Sequence, residues 1–301
     1  MLLRANLMLL LTACIWGFAF IPQRLGMDHM EPYFFNALRF MLGALSLLPV
    51  CWILRKKKVH AKGGAKQFWF FGVLIGFVLF CGAALQQVGL KDPETTAGKA
   101  GFITGLYLVL VPIIGFFFRQ RIGSLVVVGV ILATIGLYFL SVQKGFVIGK
   151  GDALVLLGAL FWAIHVQVIG HASSKVDPLR LALVQYVVCS ILNLVVALCI
   201  EDISLEPVVA ASGSILYCGI VSVGIAYTLQ IVAQKHVDPS RAAIILSLEA
   251  VFAVLGGWLA LVVGLSFAKS DEILSHRQLW GCLLMFAGML LSQLQDLKRN
   301  E

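Results

Sequence analysis

The chain has 301 residues, 60% of them hydrophobic and only 13% charged, with a mean hydropathy of +0.96 and a formal net charge of +8. Soluble domains carry about 25% charge, so half of the usual water-facing material is missing and a soluble enzyme or nucleic-acid binder is excluded. The positive excess sits in short connections between apolar runs, where it acts as a topology signal, and no nucleic-acid partner is implied.

The apolar runs are continuous and close to the ~20 residues a membrane-spanning helix needs, unlike the roughly 10-residue alternating segments of a membrane barrel. Helices are the expected spanning element because each satisfies its own backbone hydrogen bonds in lipid. In chain order the runs predict ten: Ala5–Gln23, Pro32–Leu54, Gln67–Leu90, Thr95–Phe118, Ile122–Val142, Asp152–Gly170, Leu179–Ile200, Val208–Gln234, Pro239–Val263 and Arg277–Gln295. Leu11-Thr12-Ala13-Cys14 resembles a lipoprotein cleavage box, but Ile15-Trp16-Gly17-Phe18 stays apolar, so the first run reads as a retained helix. Pro22, Pro49 and Pro112 each remove a backbone donor inside or near the end of a helix. Gly72/Gly76 and Gly101/Gly105, at four-residue spacing, suit either close helix approach or ordinary packing. The seven cysteines lie singly and read as small buried hydrophobes.

A 24-residue stretch from Asp92, DPETTAGKAGFITGLYLVLVPIIG, has a counterpart from Asp238, DPSRAAIILSLEAVFAVLGGWLAL, at an offset of 146. The same offset relates Glu31-Pro32 to Asp177-Pro178 and Trp16 to Trp162. Later the offset becomes 152, pairing Gly129 with Gly281 and Gly136 with Gly288, which places extra residues around Ser266 to Glu272. Two homologous five-helix halves are expected, residues 1–146 and 147–301. Five is odd, so the second half enters the membrane from the opposite side, as an inverted repeat. With a cytoplasmic N-terminus, 15 Lys and Arg fall on the cytoplasmic side and 7 on the other, six of the 15 lying between Arg55 and Lys66. The positive-inside rule then puts both termini in the cytoplasm of a multi-pass membrane protein.

Ionisable groups at membrane depth cost about 2.5–3.5 kcal/mol each on insertion scales, so each asks for a reason. Arg39 lies seven residues into the second helix, about 10 Å deep, and Glu249 eight residues beyond Arg241, about 12 Å in from the other side. Arg39 suits a structural or gating ion pair, or an anionic solute group. Glu249 suits a structural role, or a solute amine or proton. Under the repeat they map onto Gln185 and Ile103, so neither charge is duplicated. Trp16 and Trp162 are candidate aromatic walls of a cavity, or interface and packing residues. His165, one turn from Trp162, could titrate near neutral pH or be a satisfied core histidine. Tyr107 and Gln86, with Gln87, Gln167, Gln185, Tyr227 and Gln230, are further polar groups at depth, suited to lining a solute site or to bonding between helices. No H-E-x-x-H, G-x-S-x-G, P-loop or G-x-G-x-x-G occurs, so no enzyme, cofactor or metal site is expected.

Ala13-Cys14-Ile15-Trp16-Gly17-Phe18, Asn36-Ala37-Leu38-Arg39-Phe40, Ala97-Gly98-Lys99-Ala100-Gly101-Phe102 through Val111-Pro112, and Ser247-Leu248-Glu249-Ala250-Val251-Phe252 together resemble the drug/metabolite transporter superfamily, in particular EamA-type bacterial permeases. The resemblance implies an all-α membrane protein of ten transmembrane helices around a central cavity, working by alternating access. It also implies a bacterial inner membrane and export of small molecules such as amino acids or drug-like solutes. The family's second-helix arginine falls on Arg39 and its ninth-helix glutamate on Glu249, followed here by Ala250 where the family commonly has proline. The expected partners are a small-molecule substrate and the lipid bilayer. A proton or counter-solute, and the oligomeric state, are left open. The alternative is a non-transporting membrane scaffold or lipid-handling protein.

Overall fold

The computed structural model describes residues 1–54, 64–141, 147–263 and 275–297. Most of the basic cluster from Arg55 to Lys62, Lys144, Lys269, Lys298, Arg299 and the segment Ser266 to Glu272 lie outside these residues. The described residues form helices and contain no strand. In order these are α1 (Leu2–Gly26), α2 (Pro32–Leu54), α3 (Ala65–Lys91), α4 (Ala97–Gly105), α5 (Tyr107–Phe117), α6 (Ser124–Ser141), α7 (Lys150–Ala172), α8 (Pro178–Ile200), α9 (Glu206–Ala210) and α10 (Ser212–Leu216). A π-helical segment (Tyr217–Tyr227), α11 (Thr228–Ala233), α12 (Pro239–Leu246), α13 (Glu249–Val262) and α14 (His276–Leu297) complete them. Taking Ala97–Phe117, Ser212–Ala233 and Pro239–Leu259 as one rod each, nine described rods are long and apolar enough to cross a membrane. The 22-residue α14 lies along α6 and carries His276, Arg277 and Gln278 at one end and Ser292 and Gln293 at the other.

The acid-proline pairs at Glu31, Asp177 and Asp238 mark helix starts, whereas Asp92-Pro93 lies in a turn ahead of α4, which Thr96 caps. Asp177 caps α8 by accepting from the Leu179 and Arg180 amides, and proline at the first helical position lacks only an amide that would have gone unpaired. At α2 the cap comes from elsewhere in the chain: both Glu201 carboxylate oxygens accept, from the Tyr33 and Phe34 amides, each at 2.8 Å.

Two rods expected to be continuous are interrupted. The fourth breaks at Leu106, after Gly105 and well before Pro112, with short-range bonds from the Leu106 amide to the Ile103 carbonyl and the Val109 amide to the Leu106 carbonyl. The ninth breaks at Ser247-Leu248. There the Ser247 hydroxyl donates to the Ile244 carbonyl at 2.9 Å, competing for an acceptor of the helix ladder. The eighth rod widens into π geometry over 11 residues, which re-aims side chains and is frequent at functional sites. Pro22, Pro49 and Pro112 lie within α1, α2 and α5.

The glycines paired by the 152-residue offset lie at a helix crossing. An added Cβ would meet the Gly288 carbonyl at 2.7 Å from Gly129 and the Gly281 carbonyl at 2.6 Å from Gly136, so α6 and α14 touch backbone to backbone. Gly72 and Gly76 similarly admit Val184 and Val188 of α8 against α3. Gly136→Val is expected to destabilise the protein by about 1–3 kcal/mol through overpacking, read as a lower melting temperature in detergent. Gly98→Ala, whose Cβ would meet nothing within 4 Å, serves as the control. An unchanged melting temperature for Gly136→Val would contradict the crossing.

Candidate functional site

Residues from seven of the rods converge on one interior cavity of ≈ 450 Å³ of empty space. Its lining includes Trp16, Arg39, Gln86, Tyr107, Trp162, His165, Tyr227, Gln230 and Glu249, nine of the twelve residues singled out from the sequence. The room between these side chains holds only about two or three waters. The uninterrupted rods contribute one to three side chains each: α1 brings Trp16, Phe20 and Gln23, α2 Arg39, α3 Gln86, and α7 Trp162, His165 and Val166. The interrupted rods contribute at their irregular points: Thr104 and Tyr107 flank the α4–α5 break, Glu249 begins α13, and Ser222 and Tyr227 lie in the π-helical segment.

Arg39 is 2% exposed and pairs with no carboxylate among the described residues, Glu249 included. Its Nε donates to Asn36 Oδ1 and its Nη1 to Gln23 Oε1, both at 2.8 Å, and its guanidinium lies 4.9 Å from the centroid of the Phe40 ring. Hydrogen bonds to a charged group contribute about 1.5–3 kcal/mol each, and a desolvated cation–π contact about 2 kcal/mol. Neutral groups thus hold the guanidinium in place without cancelling its charge, and Nη2 is not used in either bond.

Gln23 is the hub of the polar network. Its Oε1 accepts from Arg39 and, at 3.3 Å, from Gln86 Nε2, while its backbone carbonyl accepts from Gln87 Nε2. Gln86 Oε1 in turn accepts from Trp162 Nε1 at 2.9 Å and from Thr104 Oγ1 at 3.4 Å. One hydrogen-bonded path therefore runs from Arg39 on α2 through α1 and α3 to Trp162 on α7.

Tyr227 is the centre of the aromatic wall. Its ring lies 4.5 Å from Trp16, 6.0 Å from Trp162 and 6.1 Å from both His165 and Phe40, centroid to centroid. Trp16 Nε1 donates to the Ser222 carbonyl at 3.3 Å, inside the π-helical segment. Opposite, the Tyr107 hydroxyl faces the Glu249 carboxyl without closing a hydrogen bond of normal geometry. His165 Nε2 meets Gln185 Oε1 at 3.1 Å. Tyr107 Oη, Glu249 Oε1, His165 Nδ1 and both side-chain atoms of Gln230 are buried and find no partner among the described residues. Buried polar atoms are paired in the great majority of cases, so this group at one cavity marks a place for polar contacts that the protein does not supply itself.

Gln87, Gln167 and Gln185 bond between helices and do not line the cavity, whereas Tyr227 and Gln230 do. Sequence reasoning missed Gln23, Thr104 and Ser222. Gln23 was visible as a polar residue after Pro22, one turn inside the end of the first rod. Thr104 and Ser222 give no such signal in apolar runs. Among the described residues no three His, Cys, Asp or Glu side chains gather as a metal site.

A bundle of apolar rods whose polar groups turn inward around a cavity at mid-length has the construction of a membrane transport protein. The profile of the EamA-like transporter family matches the chain twice, over residues 3–142 and 149–294, and the chain belongs to that family. It is a multi-pass membrane transporter. An uncharacterized transporter of Archaeoglobus fulgidus is 35% identical over 97% of this chain and 87% of that one. The uncharacterized transporter YoaV of Bacillus subtilis is 22% identical over 92% of each. A solved crystal structure shares the fold at a TM-score of 0.74 and 19% identity, covering 99% of both chains.

The Gln23–Arg39 bond is expected to be a strongly coupled pair. Gln23→Leu strands a buried guanidinium and should destabilise the detergent-solubilised protein more than Gln23→Leu does in an Arg39→Met background. The coupling in the double-mutant cycle should reach about 1–3 kcal/mol; additive melting shifts would contradict the contact.

Proposed function

We propose that this cavity is the solute site of a secondary transporter that moves small metabolites, amino acids or drug-like solutes among them, by alternating access, with Arg39 and Glu249 as its charged contacts. The observation that carries the reading is the company of two ionisable groups at one cavity, a guanidinium held by neutral partners and a carboxyl with an unpartnered oxygen, with no ion pair between them. Trp16, Trp162 and Tyr227 supply apolar faces, and Gln86, Tyr107 and His165 supply donors and acceptors, the mixture typical of small-molecule sites.

The architecture proposed around the site is ten helices in two inverted five-helix repeats, residues 1–146 and 147–301. The twofold match of the family profile supports it. So do the reciprocal contacts of α6 with α14: the repeat carries Gly129 onto Gly281 and Gly136 onto Gly288, and the contact of Gly129 with Gly288 thereby becomes that of Gly136 with Gly281. α3 packs on α7, and in the same manner Ser212–Ala233 packs on α1. Export is the proposed direction and both termini are placed in the cytoplasm of a bacterial inner membrane, on the charge distribution and the family resemblance. The near-water-sized room fits an occluded conformation, from which the walls must part to admit a solute.

The test is flux from proteoliposomes loaded with amino acids and drug-like metabolites. Solutes that raise the melting temperature, as any ligand of the folded state must, choose the panel. Arg39→Ala and Glu249→Gln are each expected to lower flux at least tenfold while the protein still folds. Flux equal to wild type in both variants would remove these residues from the mechanism.

A further inference from the structure

The cavity is closed in two different ways at its two ends. α7 separates these ends by about 34 Å at ~1.5 Å per residue. Toward Ala172 lies a vestibule of ≈ 1240 Å³ of empty space, lined among others by Gln120, Arg121, His171 and Arg241. Only a neutral layer separates it from the cavity: Gln167 Nε2 donates to the Val111 carbonyl at 2.7 Å, Gln120 Nε2 to Gln167 Oε1 at 2.8 Å, and Gln234 Nε2 to the Val166 carbonyl at 2.9 Å.

Toward Lys150 the closure is charged. Leu90, Ala100, Ile103 and Val155 fill the space beyond the cavity, all buried. Over them Asp152, with no solvent exposure, accepts from Thr95 Oγ1 at 2.9 Å and the Gly149 amide at 2.8 Å and pairs with Lys99 Nζ. Lys99 also donates to the Glu94 and Val147 carbonyls, and Asp92 accepts from the Gly151 amide at 3.1 Å. The helices touch here: an added Cβ on Gly89 would lie 2.6 Å from the Gly151 carbonyl, and one on Gly151 as close to the Gly89 carbonyl. Lys99 belongs to α4, which carries Thr104 to the cavity, and Asp152 to α7, which carries Trp162 and His165 there.

We propose that the Lys99–Asp152 pair is a latch that keeps the cavity shut at this end, and that opening toward this side breaks it. The inference rests on the reading of the cavity as a solute path. A fully buried carboxylate is tolerable only while its partners stay in place. When α4 parts from α7, water takes over both ions, so the latch holds only while it is complete. The two single variants therefore differ. Lys99→Met leaves a buried carboxylate without its cation and strongly disfavours the closed arrangement. Asp152→Asn removes the charge yet keeps one oxygen to accept from the Gly149 amide, its nitrogen donating to the Thr95 hydroxyl in place of the bond Thr95 gave, and Lys99, 22% exposed, can turn to water. The predicted order of opening is Lys99→Met above Asp152→Asn, with the double variant at the level of Asp152→Asn.

The test is a Ser222→Cys reporter in the cavity, labelled with a membrane-impermeant maleimide in right-side-out and in inside-out vesicles, over the background of the seven native cysteines in the same chain without the reporter. In the otherwise unaltered chain, labelling from the vestibule side should be faster. Lys99→Met should raise labelling from the latch side about tenfold, Asp152→Asn less, and the double variant no more than Asp152→Asn. Unchanged latch-side labelling in all three, with vestibule-side labelling intact, overturns the latch and leaves the solute path standing. Absence of labelling from either side in every variant overturns the solute path and the latch with it. If Lys99→Met fails to accumulate as folded protein, Asp152→Asn alone decides.

Discussion

A guanidinium buried without a carboxylate is the constraint around which the centre of this protein is arranged. An isolated cation in a low-dielectric interior costs several kcal/mol, and Arg39 is kept there by Gln23, Asn36 and the Phe40 ring. These partners come from α1 and from α2 itself, so α1 and α2 must stay in register for the charge to be tolerated. Gln23 then passes the constraint on, because the same oxygen that receives Arg39 receives Gln86, and Gln86 holds Trp162. Packing alone does not require this arrangement. An apolar side chain at position 39 would bury more cheaply, and its absence is what makes the cavity legible as a site.

The two segments that match the family profile carry different chemistry at positions related by the 146-residue offset of the sequence. Arg39 reaches from the second helix of its half to Gln23 on the first, and its counterpart Gln185 reaches from α8 to His165 on α7. The geometry of the reach is kept while the charge is not. In the same way Glu249 stands where the other half has Ile103, which is buried beneath the Lys99–Asp152 pair. On the proposed repeat, a shared scaffold carries different side chains at related positions, and the cavity presents a guanidinium on one wall and a carboxyl on another.

Much of this was legible in the sequence, because the relevant signals are expensive ones. Charges in an apolar run, tryptophans at repeat positions and acid-proline helix starts each carry a local physical reason, and Arg39, Glu249, Trp16 and Trp162 all line the cavity. The breaks at Leu106 and Ser247 and the π-helical segment were not legible. They arise from i→i+3 bonding, a hydroxyl competing for one carbonyl, and close packing of Val223 on Gly43, and none of these alters the apolar run that betrays a spanning helix. Gln23 escaped notice for a related reason: its importance lies in two neighbours distant along the chain, Arg39 and Gln86.

The interruption before Glu249 has a property that a proline hinge lacks. With Ala250 in place, every amide through Val251 is still a donor, and the bend is maintained by the Ser247 hydroxyl and by short-range bonds such as that from the Ala250 amide to the Ser247 carbonyl. A bend imposed by a missing amide is permanent. One held by a hydroxyl and short-range backbone bonds removes no donor, so every amide needed for an unbroken rod is present in the chain.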